Sequence, residues 1–250
     1  MELTVSILQT TVTDVAGSNV ERVISMASGL SASDVLLLPA SWPGGDAGAH
    51  ALSELCLLCS DIGVHLIAGA MPWPAEGGVV DRSWVINDAG DSFAFYDRAH
   101  IFSGHPAESF QGGTSPLFFS IAGVGCSVAI GYDICFPEYV CSIGRAGASV
   151  IFVPAAWPAT RGEQWEFTLR AAASAAQAYV VACNISGGSE GSLHFGRSII
   201  VSPWGGVIAS LGREEGVLTA TLNLGEVERC RGDMPLGRDR RGDLYRLLRF

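Results

Sequence analysis

The run Val35-Leu36-Leu37-Leu38-Pro39 is apolar at every position. A strand with one solvated face alternates apolar and polar side chains; a strand without a polar position reads as buried on both faces. The surrounding segments offer the layers that would cover it. Val5 to Gln9 reads as a second strand. Asn19 to Leu30 has helical spacing, with Val20, Val23, Ile24 and Met26 on one face. Ala51 to Ser60 reads as helix and Val64 to Ala70 as strand. Val79 to Asn87 and Ser92 to Tyr96 read as a hairpin around Asp88-Ala89-Gly90-Asp91.

The pattern continues in the second half. Leu117 to Ile121 and Val124 to Gly131 form a hairpin across Ala122-Gly123, and a helix follows from Pro137 to about Arg145, proline being well placed in a first turn. Ser149 to Val153 is a predicted strand, Gly162 to Ala176 an alanine-rich helix, and Tyr179 to Asn184 a strand. The remainder through Thr221 reads as strands and turns. Strands that alternate with helices and are also joined by hairpins predict a mixed, layered α/β fold.

Composition narrows the function classes. The chain has 250 residues, of which 48% are hydrophobic, enough for a sizeable core. Its formal net charge is −10, and all fifteen basic residues are arginine. An acidic chain without a basic cluster is a poor partner for nucleic acid or for an anionic membrane. No lysine ammonium is present for catalysis. The seven cysteines lie in apolar segments, which predicts buried thiols in a reducing compartment rather than a disulfide framework. Cys56-Leu57-Leu58-Cys59 has redox-motif spacing but sits on an apolar predicted helix without flanking Gly or Pro, so core packing is expected. The histidines show no metal-ligand spacing, and no metal or other cofactor is expected. The start of the chain lacks a basic n-region, and the longest apolar run, near Ala171 to Cys183, is too short for a membrane span. A cytoplasmic protein is expected.

Three loops after predicted strands carry polar or reactive residues: Pro39-Ala40-Ser41-Trp42, Tyr96-Asp97-Arg98-Ala99-His100 and Tyr132-Asp133-Ile134-Cys135. Strand ends are where α/β folds place their sites. The third loop continues as Phe136-Pro137-Glu138, setting one cysteine just before a helix that opens on proline.

At these residues the chain resembles the nitrilase superfamily of carbon–nitrogen hydrolases, in particular its amidase-like members. Matching pieces run from Asp34-Val35-Leu36-Leu37-Leu38-Pro39 to Arg240-Arg241-Gly242-Asp243-Leu244-Tyr245. They include Ala155-Ala156-Trp157-Pro158, Gly196-Arg197-Ser198 and Ser202-Pro203-Trp204-Gly205. The resemblance implies a four-layer α-β-β-α sandwich formed as a single domain over residues 1–250. It also implies assembly as a homodimer or higher homo-oligomer, and a small-molecule amide or carboxylate ligand.

The family uses a Glu–Lys–Cys triad: base, oxyanion partner and nucleophile. The resemblance assigns Cys135 to the nucleophile position, Arg98 to the lysine position and Ala40 to the position of the base. Glu108 matches a further glutamate that helps to position substrate, and it is the surviving candidate base. Trp42, Phe136, Glu138 and Trp157 form the candidate substrate-binding set. Glu138 reads equally as a first-turn residue favoured by the helix dipole. In the stretch Arg170 to Ala176, Ala175 and Ala176 occupy positions where the family carries glutamate and asparagine.

Losing a general base removes about 10² to 10⁴ in rate. Arg98 keeps a positive charge, but its planar fork cannot present a compact ammonium. It reads either as an oxyanion partner, also lowering the thiol pKa together with the following helix N-terminus, or as an ion-pair partner of Glu108 or Glu138. The function expected is therefore a carbon–nitrogen hydrolase of small amides whose conventional activity is weak or lost. The alternative is a silent relative that binds a small molecule or serves as an assembly component.

Overall fold

A computed structural model describes residues 1–13, 15–44, 47–103, 110–188 and 194–245. The first half builds β1 (Glu2–Gln9), α1 (Ala16–Ala27), β2 (Val35–Leu37), α2 (Gly48–Ile62), β3 (His65–Ile67), β4 (Met71–Ala75), β5 (Gly78–Ile86) and β6 (Ser92–Asp97). The second builds β7 (Phe118–Ile121), β8 (Val124–Val128), a 3-10 turn over Gly131–Cys135, α3 (Pro137–Arg145), β9 (Val150–Ala155), α4 (Gly162–Ala176) and β10 (Tyr179–Asn184). There follow β11 (Ser186–Gly187), β12 (His194–Phe195), β13 (Ile199–Val201), β14 (Val207–Ser210), β15 (Gly216–Asn223) and α5 (Gly225–Asp233).

Among the described residues these strands form two large mixed sheets. One runs β15-β1-β2-β3-β5-β4, with β6 also on β5; the other runs β14-β13-β10-β9-β8-β7. β1, β2 and β3 are parallel, as are β8, β9 and β10, while the hairpins add antiparallel edges. Side chains sort by strand periodicity. Val35 and Leu37 enter the core between the sheets, and Leu36 and Leu38 the core under α1 and α2. In the facing sheet Val150 and Phe152 point to the shared core, and Ile151, Val153 and Ala155 to the core under α3 and α4. Two sheets face to face with helices outside make the expected α-β-β-α sandwich, and the apolar run Val35 to Leu38 is covered on both faces.

Some boundaries differ from the sequence reading. The strand expected to reach Ala70 ends at Ile67, and the chain turns at Gly69 (φ +76°) before β4. A Cβ at Gly69 would run into the Pro39 carbonyl, so the loop after β2 lies directly on this turn. Helix α5 was not expected, because its apolar face is only Val227 and Cys230 among charged residues. The alanine-rich face of α4 has a packing reason. A Cβ at Gly144 of α3 would overlap the carbonyl of Ala176, so the two helices approach nearly backbone to backbone. Cys56 and Cys59 are free thiols on α2, with Cys59 fully buried, as core packing requires.

Candidate active site

The loop after β2 carries Ala40, which is 4% exposed and belongs to the core between the sheets. Its N–H donates to the carbonyl of Ala155 at 3.1 Å, tying this loop to the end of β9 in the opposite sheet. Ser41 follows with φ +60°, a left-handed conformation that non-glycine residues adopt at a cost of about 1–2 kcal/mol. Position 40 thus stands at a strained strand end, but it presents a methyl group and cannot accept a proton. Trp42 is fully buried in the core under α1 and α2, its indole N–H donating to Ala68 at 2.9 Å.

The loop after β6 is held by one carboxylate. Asp133 is fully buried, and its Oδ1 accepts from the His100 backbone N–H at 2.9 Å and lies 2.8 Å from His100 Nδ1. Its Oδ2 accepts from the Tyr96 hydroxyl at 2.8 Å and from the Ile130 N–H at 2.9 Å. The Tyr139 hydroxyl donates to that of Tyr96 at 2.7 Å, extending the network into α3. A buried carboxylate is tolerated when its lone pairs are filled in this way. The result clamps residues 96–100 against the turn that carries Cys135.

Arg98, within that clamped loop, pairs with Asp81, Nη2 to Oδ2, at 3.2 Å. The two side chains are 15% and 8% exposed. Of the two carboxylates offered as its ion-pair partners, Glu138 is exposed in the first turn of α3, where the acidic side chain complements the helix dipole. Glu108 lies outside the described residues.

The thiol of Cys135 is half-buried at the end of the 3-10 turn and packs against the core under α3 and α4. Burial pushes its pKa above the ordinary value of 9.0; Arg161 opposes this and Asp133 adds to it. The cation acting on the thiol is therefore Arg161, not Arg98, and it does not outweigh desolvation. Phe136 stacks on His100, with ring centroids 3.7 Å apart and planes 11° from parallel.

Arg161 is the residue that the sequence reading missed. Its guanidinium lies 4.7 Å from the ring centroid of Phe102, which meets Tyr132 edge-on at 5.3 Å. Its carbonyl accepts from the indole of Trp157 at 2.9 Å. Trp157 is in turn held by Asn184, fully buried at the end of β10, whose Oδ1 accepts the Trp157 N–H at 2.6 Å. A polar residue closing the apolar run Tyr179 to Cys183 was the available signal for Asn184. Arg161 also lines a cleft of ≈ 780 Å³ together with His194, Arg197, Arg213, Glu163 and Glu214. Among the described residues there is no group of histidine, cysteine and carboxylate side chains able to hold a metal ion.

The structure therefore ties the loop of Ala40 to that of Trp157, and the loop of Arg98 to that of Cys135 and Phe136. The sequence pattern of the carbon–nitrogen hydrolase family matches residues 17–232. A 2-oxoglutaramate amidase of Bacillus subtilis is 34% identical over 224 residues, covering 85% of this chain and 86% of its own. An omega-amidase of Xenopus tropicalis is 30% identical over 202 residues, covering 77% and 73%. Among solved structures, Nit3 of Saccharomyces cerevisiae, a member of branch 10 of the nitrilase superfamily, superposes with a TM-score of 0.87 at 22% identity, covering 96% of this chain and 97% of its own. An amidase from Nesterenkonia sp. superposes with a TM-score of 0.85 at 23% identity, covering 98% and 95%.

Proposed function

The chain belongs to the carbon–nitrogen hydrolase family, and we propose that it is an amidase-type member that binds a small amide bearing a carboxylate and hydrolyses it weakly or not at all. The observation that carries this reading is the buried methyl group of Ala40 at the strand end where the family resemblance calls for a base. A thiol without a base must ionise by itself, and burial holds Cys135 in the protonated form. Arg98 is engaged by Asp81, so its charge is already partly neutralised before any oxyanion forms.

The ligand class follows from Arg161. An exposed guanidinium beside an aromatic ring, in the lining of a cleft, suits a carboxylate, which it can bind through two parallel hydrogen bonds. The relatives named for 2-oxoglutaramate and for omega-amides make a short chain with a carboxylate at one end and an amide at the other the natural probe.

The test is calorimetric binding and ammonia release with 2-oxoglutaramate, succinamate and acetamide. Succinamate and 2-oxoglutaramate should bind, acetamide should not, and Arg161→Gln should weaken binding by about tenfold or more. Ammonia should stay at the buffer level. Release that is robust in the native protein and lost in Cys135→Ala would overturn the reading in favour of hydrolysis by Cys135 with another base.

A further inference from the structure

We propose that the reaction point of this fold is residue 131 rather than residue 135, and that the side chain missing there, a nucleophile, is what silences the chain. This rests on the reading of a site without efficient turnover and explains it by position. Eight described glycines have open space where a Cβ would stand: Gly17, Gly29, Gly63, Gly131, Gly147, Gly212, Gly232 and Gly237. Seven of them are exposed, and open space there is solvent. Gly131 alone is buried.

The contrast with other covered glycines is informative. At Gly69 and Gly144 the lack of a side chain is explained by backbone that a Cβ would strike. Among the described residues, and its two chain neighbours apart, nothing lies within 4 Å of where a Cβ at Gly131 would stand. Close-packed interiors leave few voids larger than a water molecule, so a space kept open inside the fold calls for an occupant. This space lies at the junction of β8 with a helical turn, at the end of a parallel strand, where α/β folds bind ligands. Its φ of +45° turns the residue's side-chain direction away from that of an ordinary strand continuation. A nucleophile raised on a sharp, strained strand-to-helix turn has the same local construction.

Cys135 lacks these properties. Its side chain packs with Ile134 and Tyr139 against the core under α3 and α4. Ile130, the residue before Gly131, instead enters the core between the sheets, together with Ala40 and Tyr96. The Asp133 carboxylate, which disfavours a thiolate at Cys135, is turned back onto the Ile130 N–H and the residue 96–100 loop.

The proposal is tested with 2-chloroacetamide, an amide-shaped electrophile. A thiolate sulfur displaces chloride from its carbon; the S–C bond forms as the C–Cl bond breaks, and the thiol proton passes to buffer. Gly131→Cys is made in a Cys135→Ser background, and its rate of modification at pH 7, mapped by peptide mass, is compared with that of Cys135 in the native protein. Residue 131 should be modified about tenfold faster or more, as a thiol with room beside it admits the electrophile and one packed against the core does not. Equal or slower modification overturns the proposal. Gly131→Ala guards against a folding artefact: with room for the Cβ, only left-handed strain is added, and the melting temperature should fall by about 2–8 °C. A failure of Gly131→Ala to fold shows that the space is not there and overturns the proposal as well. Ammonia release by the native protein bears on the proposed function; modification at residue 131 bears on this inference alone.

Discussion

The carboxylate of Asp133, with no exposure to solvent, lies 2.8 Å from the imidazole Nδ1 of His100, thirty-three residues earlier in the chain. That contact, with the His100 N–H and the Tyr96 hydroxyl, fixes one loop to another across two sheets. Asp133→Ala leaves the Tyr96 hydroxyl and the N–H groups of His100 and Ile130 without this acceptor. Urea denaturation should show a loss of about 3–5 kcal/mol, since several donors lose their acceptor together at about 1–3 kcal/mol each. A loss under about 1 kcal/mol would mean that water replaces the carboxylate easily.

Helices α3 and α4 meet at Gly144, where an added Cβ collides with the Ala176 carbonyl. Gly144→Ala has two opposed effects. Alanine favours the helix by about 1 kcal/mol, whereas overpacking against backbone costs about 1–3 kcal/mol or more. Backbone cannot swing aside as a side-chain tip can, so net destabilisation is expected. A stability curve showing no loss would place the two helices further apart.

The thiol of Cys135 has a pKa raised above its ordinary value, with Arg161 as the opposing cation. Its alkylation by iodoacetamide should be slower at pH 7 than that of free cysteine, and the rate should climb with pH beyond pH 9. Arg161→Gln removes the charge that favours the thiolate, so the pKa rises further. The rate at neutral pH should then drop roughly twofold to tenfold. A faster reaction in this variant would contradict the assigned sign.

Stability should fall in alkali. Burial pushes the Cys59 and Cys126 thiols up to about 12, and Cys183 is raised too. An unfolded thiol loses its proton near pH 8.5, roughly, so above that pH the native state holds protons that the unfolded state has released. Each such group is neutral for stability below that pH and subtracts about 1.4 kcal/mol per pH unit until its folded pKa is reached. Urea midpoints measured from pH 8 to 10.5 should decline progressively, and Cys59→Ala should flatten part of that slope. A flat profile would show that these thiols ionise as readily folded as unfolded.

Ala40→Glu with Arg98→Lys restores a base and an ammonium but not a side chain at residue 131. The double variant should show no ammonia release above the native level, because a triad acts as a unit and its members do not contribute additively. Release that depends on Cys135 in this variant would return the nucleophile's role to residue 135.

The layered fold was legible because strand and helix periods are local. The apolar run at Val35–Leu38 demanded cover on both faces, and the hydrophobic faces of α1 and α4 supplied two of the layers. The loops that carry the site could also be named, since polar residues after apolar strands stand out. The alanine at position 40 and the absence of lysine were chemistry that the chain alone determined. Tertiary structure decided the rest. Arg98 found Asp81 because β5 and β6 are neighbours, a pairing that lies outside any local spacing. Arg161 came to act on Cys135 because α4 packs beside the 3-10 turn. The difference between Gly131 and Cys135, four residues apart on one short turn, depends on which side chain direction meets packed atoms and which meets space. A sequence lists the side chains that are present, whereas the room around each one is fixed only when both sheets and their helices have closed upon it.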